Sequence, residues 1–149
     1  MREKCFLEAA RAVSLASDYP KAHLGCVITH KGKIIASGCN STKTHTLQSR
    51  YNVYRFSPSV GAIHSLHAET AAIVSFLNIS HRKEINPKEC TLYIYREWKN
   101  GRVAMARPCP SCMQLIKNVG FRNIVYTTFD GVAHEKISYS KEKECIKYA

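Results

Sequence analysis

Two short stretches constrain this chain more than any others: His67-Ala68-Glu69 and Pro108-Cys109-Pro110-Ser111-Cys112. Imidazole nitrogen and thiolate are donors that zinc takes, so His67, Cys109 and Cys112 read together as one zinc site. A Cys-x-x-Cys pair can place both sulfurs on one metal from the start of a helix. His67 must then arrive from a separate helix, so the fold has to bring segments far apart in sequence to one ion. Structural zinc sites normally close with four protein ligands, whereas catalytic ones keep a position for water. Only three ligands are evident here, and Glu69 lies close enough to act on that water as a base. Zinc lowers the pKa of bound water to about 7.

The rest of the chain alternates helices and strands. Phe6, Ala9, Ala10, Val13 and Ala16 recur at helical spacing and predict a first helix over Arg2–Ser17, ended before Pro20. Leu24–Thr29 and Ile34–Gly38 read as strands of a hairpin about Lys31-Gly32-Lys33. Ser41–Leu66 reads as a long irregular connection in which basic and aromatic residues interleave, including Lys43, Arg50, Tyr51, Tyr54 and Arg55. Arg and Lys there can hold phosphate, and Tyr can stack on a base. His67–Asn78 predicts a buried helix, apolar nearly all round, with His67 and Glu69 at the positive end of its dipole. Ser80–Lys88 is a polar connection, and Thr91–Arg96 is the central strand. Glu97–Arg107 then intervenes. Its Asn100-Gly101 pair suits the positive-φ positions of a type I′ hairpin turn, so the segment is expected to fold back toward the zinc site. Trp98, Arg102 and Arg107 are candidate contacts there, each equally open to a structural role. Cys109–Val119 is the next helix, with Gly120 past its end. A strand over Asn123–Thr128, a turn at Asp130-Gly131, a short strand at Ile137–Tyr139 and a basic helix over Lys141–Tyr148 complete the order.

Composition narrows the function classes. A length of 149 residues suggests one domain over 1–149, and 45% hydrophobic content is enough for a core. No apolar run is long enough to span a membrane. The N-terminal segment is amphipathic rather than signal-like, which predicts a cytoplasmic protein. Seven cysteines, an odd number, suit a reducing compartment, where Cys-x-x-Cys reads as metal-binding or redox-active. The redox alternative gives the His-Ala-Glu stretch no role. Cys5, Cys26, Cys39, Cys90 and Cys145 read as small core hydrophobes. A formal charge of +11 favours an anionic partner, either a nucleotide phosphate or a nucleic-acid backbone.

A His/Cys/Cys site with a nearby non-ligand Glu, followed by Pro-Cys-x-x-Cys, is the signature of zinc nucleobase deaminases. From about Phe6 to Thr128 the chain resembles the cytidine and deoxycytidylate deaminase superfamily. The resemblance implies an α/β, three-layer fold with a mixed five-stranded sheet flanked by helices, and zinc held between the starts of the second and third helices. It implies Glu69 as the catalytic residue, Zn2+ as cofactor, and Asn40 and Ala68 as substrate contacts, beside the phosphate candidates Lys43, Arg50 and Arg55. A homo-oligomer is common in the family, with neighbouring subunits completing the pocket. Some members carry a second, structural metal. His45 and His64 could serve one, but no four-ligand set is present and none is predicted. The expected activity is deamination of cytosine in a nucleotide such as dCMP. The alternatives are a nucleic-acid deaminase acting on cytosine in single strands or adenosine in tRNA, and a non-catalytic zinc module that binds nucleic acid.

Overall fold

The computed structural model describes residues 2–43, 45–54 and 65–137. Five strands form one mixed sheet: β1 (Ala22–His30), β2 (Lys33–Cys39), β3 (Cys90–Trp98), β4 (Asn123–Thr127) and β5 (Val132–Lys136), in the order β2-β1-β3-β4-β5. Neighbours run antiparallel except β3 and β4, which are parallel. That parallel pair requires a crossover, supplied by helix α4 (Pro110–Val119). Helix α1 (Arg2–Ser14) covers one face of the sheet. Helix α3 (Ala68–Lys83) and α4 cover the other, and the short α2 (Thr46–Tyr51) packs on α4. The result is the expected three-layer α/β architecture.

Alternation along β3 sorts the two cores. Cys90, Leu92 and Ile94 join Cys26, Ile28, Ile73, Phe76, Leu115 and Ile116 under α3 and α4, while Tyr95 meets Ala10 and Val27 under α1. Phe76 and Phe121 meet edge-on at 4.9 Å in the larger core. Two glycines let the helices approach the sheet. A Cβ on Gly25 would lie 1.9 Å from the Ala10 carbonyl oxygen of α1, and one on Gly38 would lie 2.4 Å from the Ala72 nitrogen of α3. Bare backbone at Gly38 thus seats the helix that carries Glu69 directly on β2.

Several boundaries differ from the sequence reading, each for a local reason. Helix α1 stops at Ser14, and Leu15, Ala16 and Ser17 continue as a turn of i→i−3 bonds that leaves Leu15 exposed. Within Ser41–Leu66, expected to be irregular, residues Thr46–Tyr51 form α2, followed by a 3₁₀ turn over Asn52–Tyr54. The His45 side chain caps α2 by accepting from the Leu47 N–H, an employment other than metal binding. Helix α3 runs one turn past Asn78 to Lys83, where Glu84 adopts a left-handed conformation. Trp98–Arg102 is a hairpin loop, but only Gly101 has positive φ, at 87°. Asn100 instead accepts from the Arg102 N–H. A three-residue loop with glycine at the left-handed position therefore replaces the expected type I′ turn.

The fifth described strand is Val132–Lys136, which the sequence reading did not place; of the strand expected over Ile137–Tyr139 only Ile137 is among the described residues, just past the end of β5. An edge strand with alternating exposed polar residues has no apolar run to reveal it. Its Glu135 receives a two-pronged hydrogen bond from Arg107, at 3.0 and 2.8 Å, so Arg107 ties the returning segment to the sheet edge. Cys26 and Cys90 are buried as expected, whereas Cys5 is exposed. Arg55, His64, residues 138–139, the helix expected over 141–148 and Cys145 lie outside the described residues. No described helix is long and apolar enough to cross a membrane. Between α1 and the β4–β5 turn lies a cavity of about 470 Å³, lined by Leu7, Tyr95, Val103, Phe129 and Val132.

Overpacking typically costs about 1–3 kcal/mol and occasionally more. Gly38→Ala, whose added methyl would meet backbone and the Ala71 side chain, is expected at or above the top of that range. A urea unfolding midpoint compared with wild type measures it.

Candidate metal centre and its surroundings

His67 and Cys109 occupy equivalent places in their helices. Each is the N-cap residue, of α3 and α4 respectively, and each has extended backbone and no side-chain capping bond. N-cap side chains usually turn back onto the helix. Here neither does so, and both are available to each other. Pro110 at the first turn of α4 suits a position whose N–H needs no intrahelical partner. Gly120, at φ 112°, ends the helix in the left-handed conformation. Cys112 lies one turn into α4, fully buried.

The donors of His67, Cys109 and Cys112 lie within 4.8 Å of one another, the only such group among the described residues. His67 Nδ1 is 3.2 Å from Cys112 Sγ and 3.5 Å from Cys109 Sγ. Ordinary Zn–N and Zn–S bonds at a tetrahedral angle separate nitrogen from sulfur by about 3.6 Å. The donor set and its spacing therefore fit zinc with little movement. Two helix N-termini point at the cluster, and their dipoles favour thiolate there. The hydrogen bond with Cys112 draws the Cys109 thiol far below its ordinary pKa, helped by His67 and Ser111 and opposed by burial. The same bond, reinforced by burial, pushes Cys112 up. Metal binding at such a pair is coupled to loss of thiol protons.

Glu69 sits in the first turn of α3 at 3% exposure, and its Oε1 is buried with no hydrogen-bond partner among the described residues. Burial pushes its carboxyl above the ordinary value, with the fields of His67 and Arg96 opposing and that of Cys109 reinforcing. A buried carboxylate oxygen without a protein donor is costly unless something else bonds it. The location, beside three metal donors, fits an acid/base group that meets water or substrate.

The other sequence candidates divide. The Asn40 amide is spent on the backbone: Oδ1 accepts from the Leu24 N–H and Nδ2 donates to the Ala22 carbonyl, both at 2.9 Å. Backbone bonds between Ser41 and Leu66 bring Asn40 and Lys43 alongside the chain entering His67. Ala68 is fully buried. Lys43 and Arg50 are exposed. Three neighbours escaped the sequence reading. Gln48 is fully buried and accepts from the His67 N–H at 3.0 Å while donating to Asn52. Thr70 Oγ1 lies 3.7 Å from Cys112 Sγ, and Ser111 Oγ lies 3.0 Å from Cys109 Sγ. A buried Gln reached from another helix has no local pattern. Ser111 and Thr70 could have been found from their proximity to the motifs.

Loss of an outer-shell partner commonly weakens metal binding by about 10–100-fold. Gln48→Ala is expected to weaken zinc binding within that range by freeing the His67 backbone, measured by competition with a chromogenic chelator.

The family model described as "Cytidine and deoxycytidylate deaminase zinc-binding region" matches residues 1–128. No curated protein sequence matches significantly. Among solved structures, the chain is similar to the cytidine deaminase from Burkholderia pseudomallei, at 20% identity and a TM-score of 0.60, over 91% of this chain and 93% of that one. It is also similar to the dCMP deaminase from cyanophage S-TIM5 in complex with dCMP and dUMP, at 18% identity and a TM-score of 0.55, over 83% and 79%. The guanine deaminase from Bacillus subtilis shares 21% identity with a TM-score of 0.52, over 86% of this chain and 65% of that one. At these identities the likeness is one of fold. With the family model spanning most of its length and the zinc donors assembled, the chain belongs to the cytidine and deoxycytidylate deaminase family and carries its zinc-binding region.

Proposed function

We propose that the protein catalyses hydrolytic deamination of a cytosine base in a nucleotide such as dCMP, giving the uracil product and ammonia. The observation that carries this reading is the buried Glu69 carboxyl, whose Oε1 has no hydrogen-bond partner among the described residues, beside a three-donor metal cluster. His67, Cys109 and Cys112 would hold the metal. When bound, zinc supplies Lewis acidity that makes water nucleophilic near neutral pH. Glu69 would relay both protons of the attacking water in turn, the first to the ring nitrogen and the second to the amine that departs as ammonia. Its buried place in the first turn of α3, beside the metal donors, puts one carboxyl where it can both take and return a proton.

Cytosine is preferred because the matching family model is that of cytidine and deoxycytidylate deaminases. A phosphate-bearing substrate is supported by the +11 charge and by the similar structure bound to dCMP and dUMP. In this reading the enzyme is cytoplasmic, a single domain over 1–149, and self-associates. The exposed Val103, Phe129 and Val132 around the cavity under α1 offer an apolar face for that association. A second reading, a deaminase of single-stranded nucleic acid, draws on the exposed Trp98, Lys99 and Arg102 at the hairpin tip, which suit stacking and backbone contact. The retained Glu69 argues against a zinc module that only binds.

Removing a general acid/base typically costs about 10²–10⁴-fold in rate. Glu69→Gln is expected to lose at least that much dCMP turnover while keeping one zinc per chain and an undiminished melting temperature. Cys109→Ser is expected to lose zinc and stability together. Metal analysis, calorimetry and ammonia release measure the three effects, and a fully active Glu69→Gln variant would sink the mechanism.

A further inference from the structure

Arg96 occupies a position that the fold would otherwise give to a core residue. Cys90, Leu92 and Ile94 precede it on the face of β3 that packs under α3 and α4, and each is fully buried. The next position on that face is Arg96, at the carboxyl end of the central strand, where open α/β sheets bind their ligands. Its cross-strand partner is Leu24, whose N–H is held by Asn40. Its backbone is fixed on both sides: the N–H donates to Thr127 Oγ1 at 3.2 Å, and the carbonyl accepts from the Ala104 N–H at 2.9 Å.

The guanidinium is held but little used. Its carbon sits 4.5 Å from the centre of the Trp98 ring, two residues on along the strand. Nη1 reaches the Met105 carbonyl only at 3.5 Å, and Nε is buried with no acceptor among the described residues. A guanidinium has five N–H donors in a planar fork that matches two oxygens of one phosphate. Among the described residues most of those donors have no acceptor, and the ring orients them in advance on the same face of the sheet as the metal cluster. The field of Arg96 also reaches the Glu69 carboxyl.

We propose that Arg96, braced against Trp98, receives a phosphate of the substrate and so selects nucleotides over nucleosides. The inference rests on the cytosine-deaminase reading for the identity of its ligand. It moves the phosphate contact from the exposed Lys43 and Arg50 to a residue at the floor of the sheet's carboxyl end. The phosphate is the 5′ group of a mononucleotide, or an internucleotide phosphate if the substrate is a strand.

Trp98 is the sole tryptophan, which makes the test direct. Zinc-loaded wild type, Arg96→Gln and Arg96→Lys would be titrated with dUMP, deoxyuridine and a short uracil-containing single strand. Trp98 emission and calorimetry would be followed, with melting curves to confirm folding. Wild type is expected to bind dUMP at least about tenfold more tightly than deoxyuridine, with a change in Trp98 emission. Arg96→Gln should bring the two affinities together with deoxyuridine binding unchanged, and Arg96→Lys should fall between. An Arg96-dependent response to the strand but not to dUMP would place the same contact on an internucleotide phosphate. A wild-type preference for dUMP that survives in both variants, equal binding of dUMP and deoxyuridine, or no binding of any of the three overturns the proposal. The deaminase reading is judged separately, by ammonia release from dCMP and from cytosine-containing strands.

Discussion

Everything in this structure depends on two helix N-termini meeting at one point. His67 and Cys109 stand at the N-cap positions of α3 and α4 with no side-chain capping bond, and their side chains face each other instead. Two positive dipole ends and two thiols in one buried place would be poorly matched on their own. Ionised thiolates answer the dipoles, and a dication answers the thiolates. The sheet makes the meeting possible. The parallel step from β3 to β4 places α4 on the same face as α3, and Gly38 lets α3 lie close enough for its first turn to reach across.

The metal donors and Glu69 were legible because their chemistry is carried by residue type at short spacing. The central strands were legible because buried strands are apolar and β-branched. What escaped is instructive. β5 is an edge strand whose Val132 and His134 alternate with half-buried neighbours, so no hydrophobic run marks it. α2 is too short for periodicity to show, and its buried Gln48 acts on a backbone N–H nineteen residues away. Asn100-Gly101 signals a hairpin correctly, but the turn type is settled by the pairing of Trp98 with Arg102, which leaves only Gly101 at positive φ. Arg96 ends the central strand expected over Thr91–Arg96, and nothing local distinguishes it from a residue pointing to solvent.

Two unmet polar groups lie at the site. Glu69 Oε1 and Arg96 Nε are both buried polar atoms without a protein partner among the described residues, on the metal-bearing face of the sheet. Neighbouring polar groups are spent: the Asn40 amide holds β1, Thr127 bonds the Arg96 N–H and the Ala104 carbonyl, and Arg107 closes on Glu135. Proteins tolerate unmet polar groups mainly where function needs them. On this account Glu69 serves the reacting water and base, and Arg96 serves the substrate's charge.

The most direct test of the central claim is zinc K-edge X-ray absorption on the purified protein. The account predicts one zinc per chain with two sulfur ligands, one imidazole nitrogen and one light exchangeable ligand. Zinc bound by four protein ligands, or a protein that takes up no zinc while folded, would contradict it.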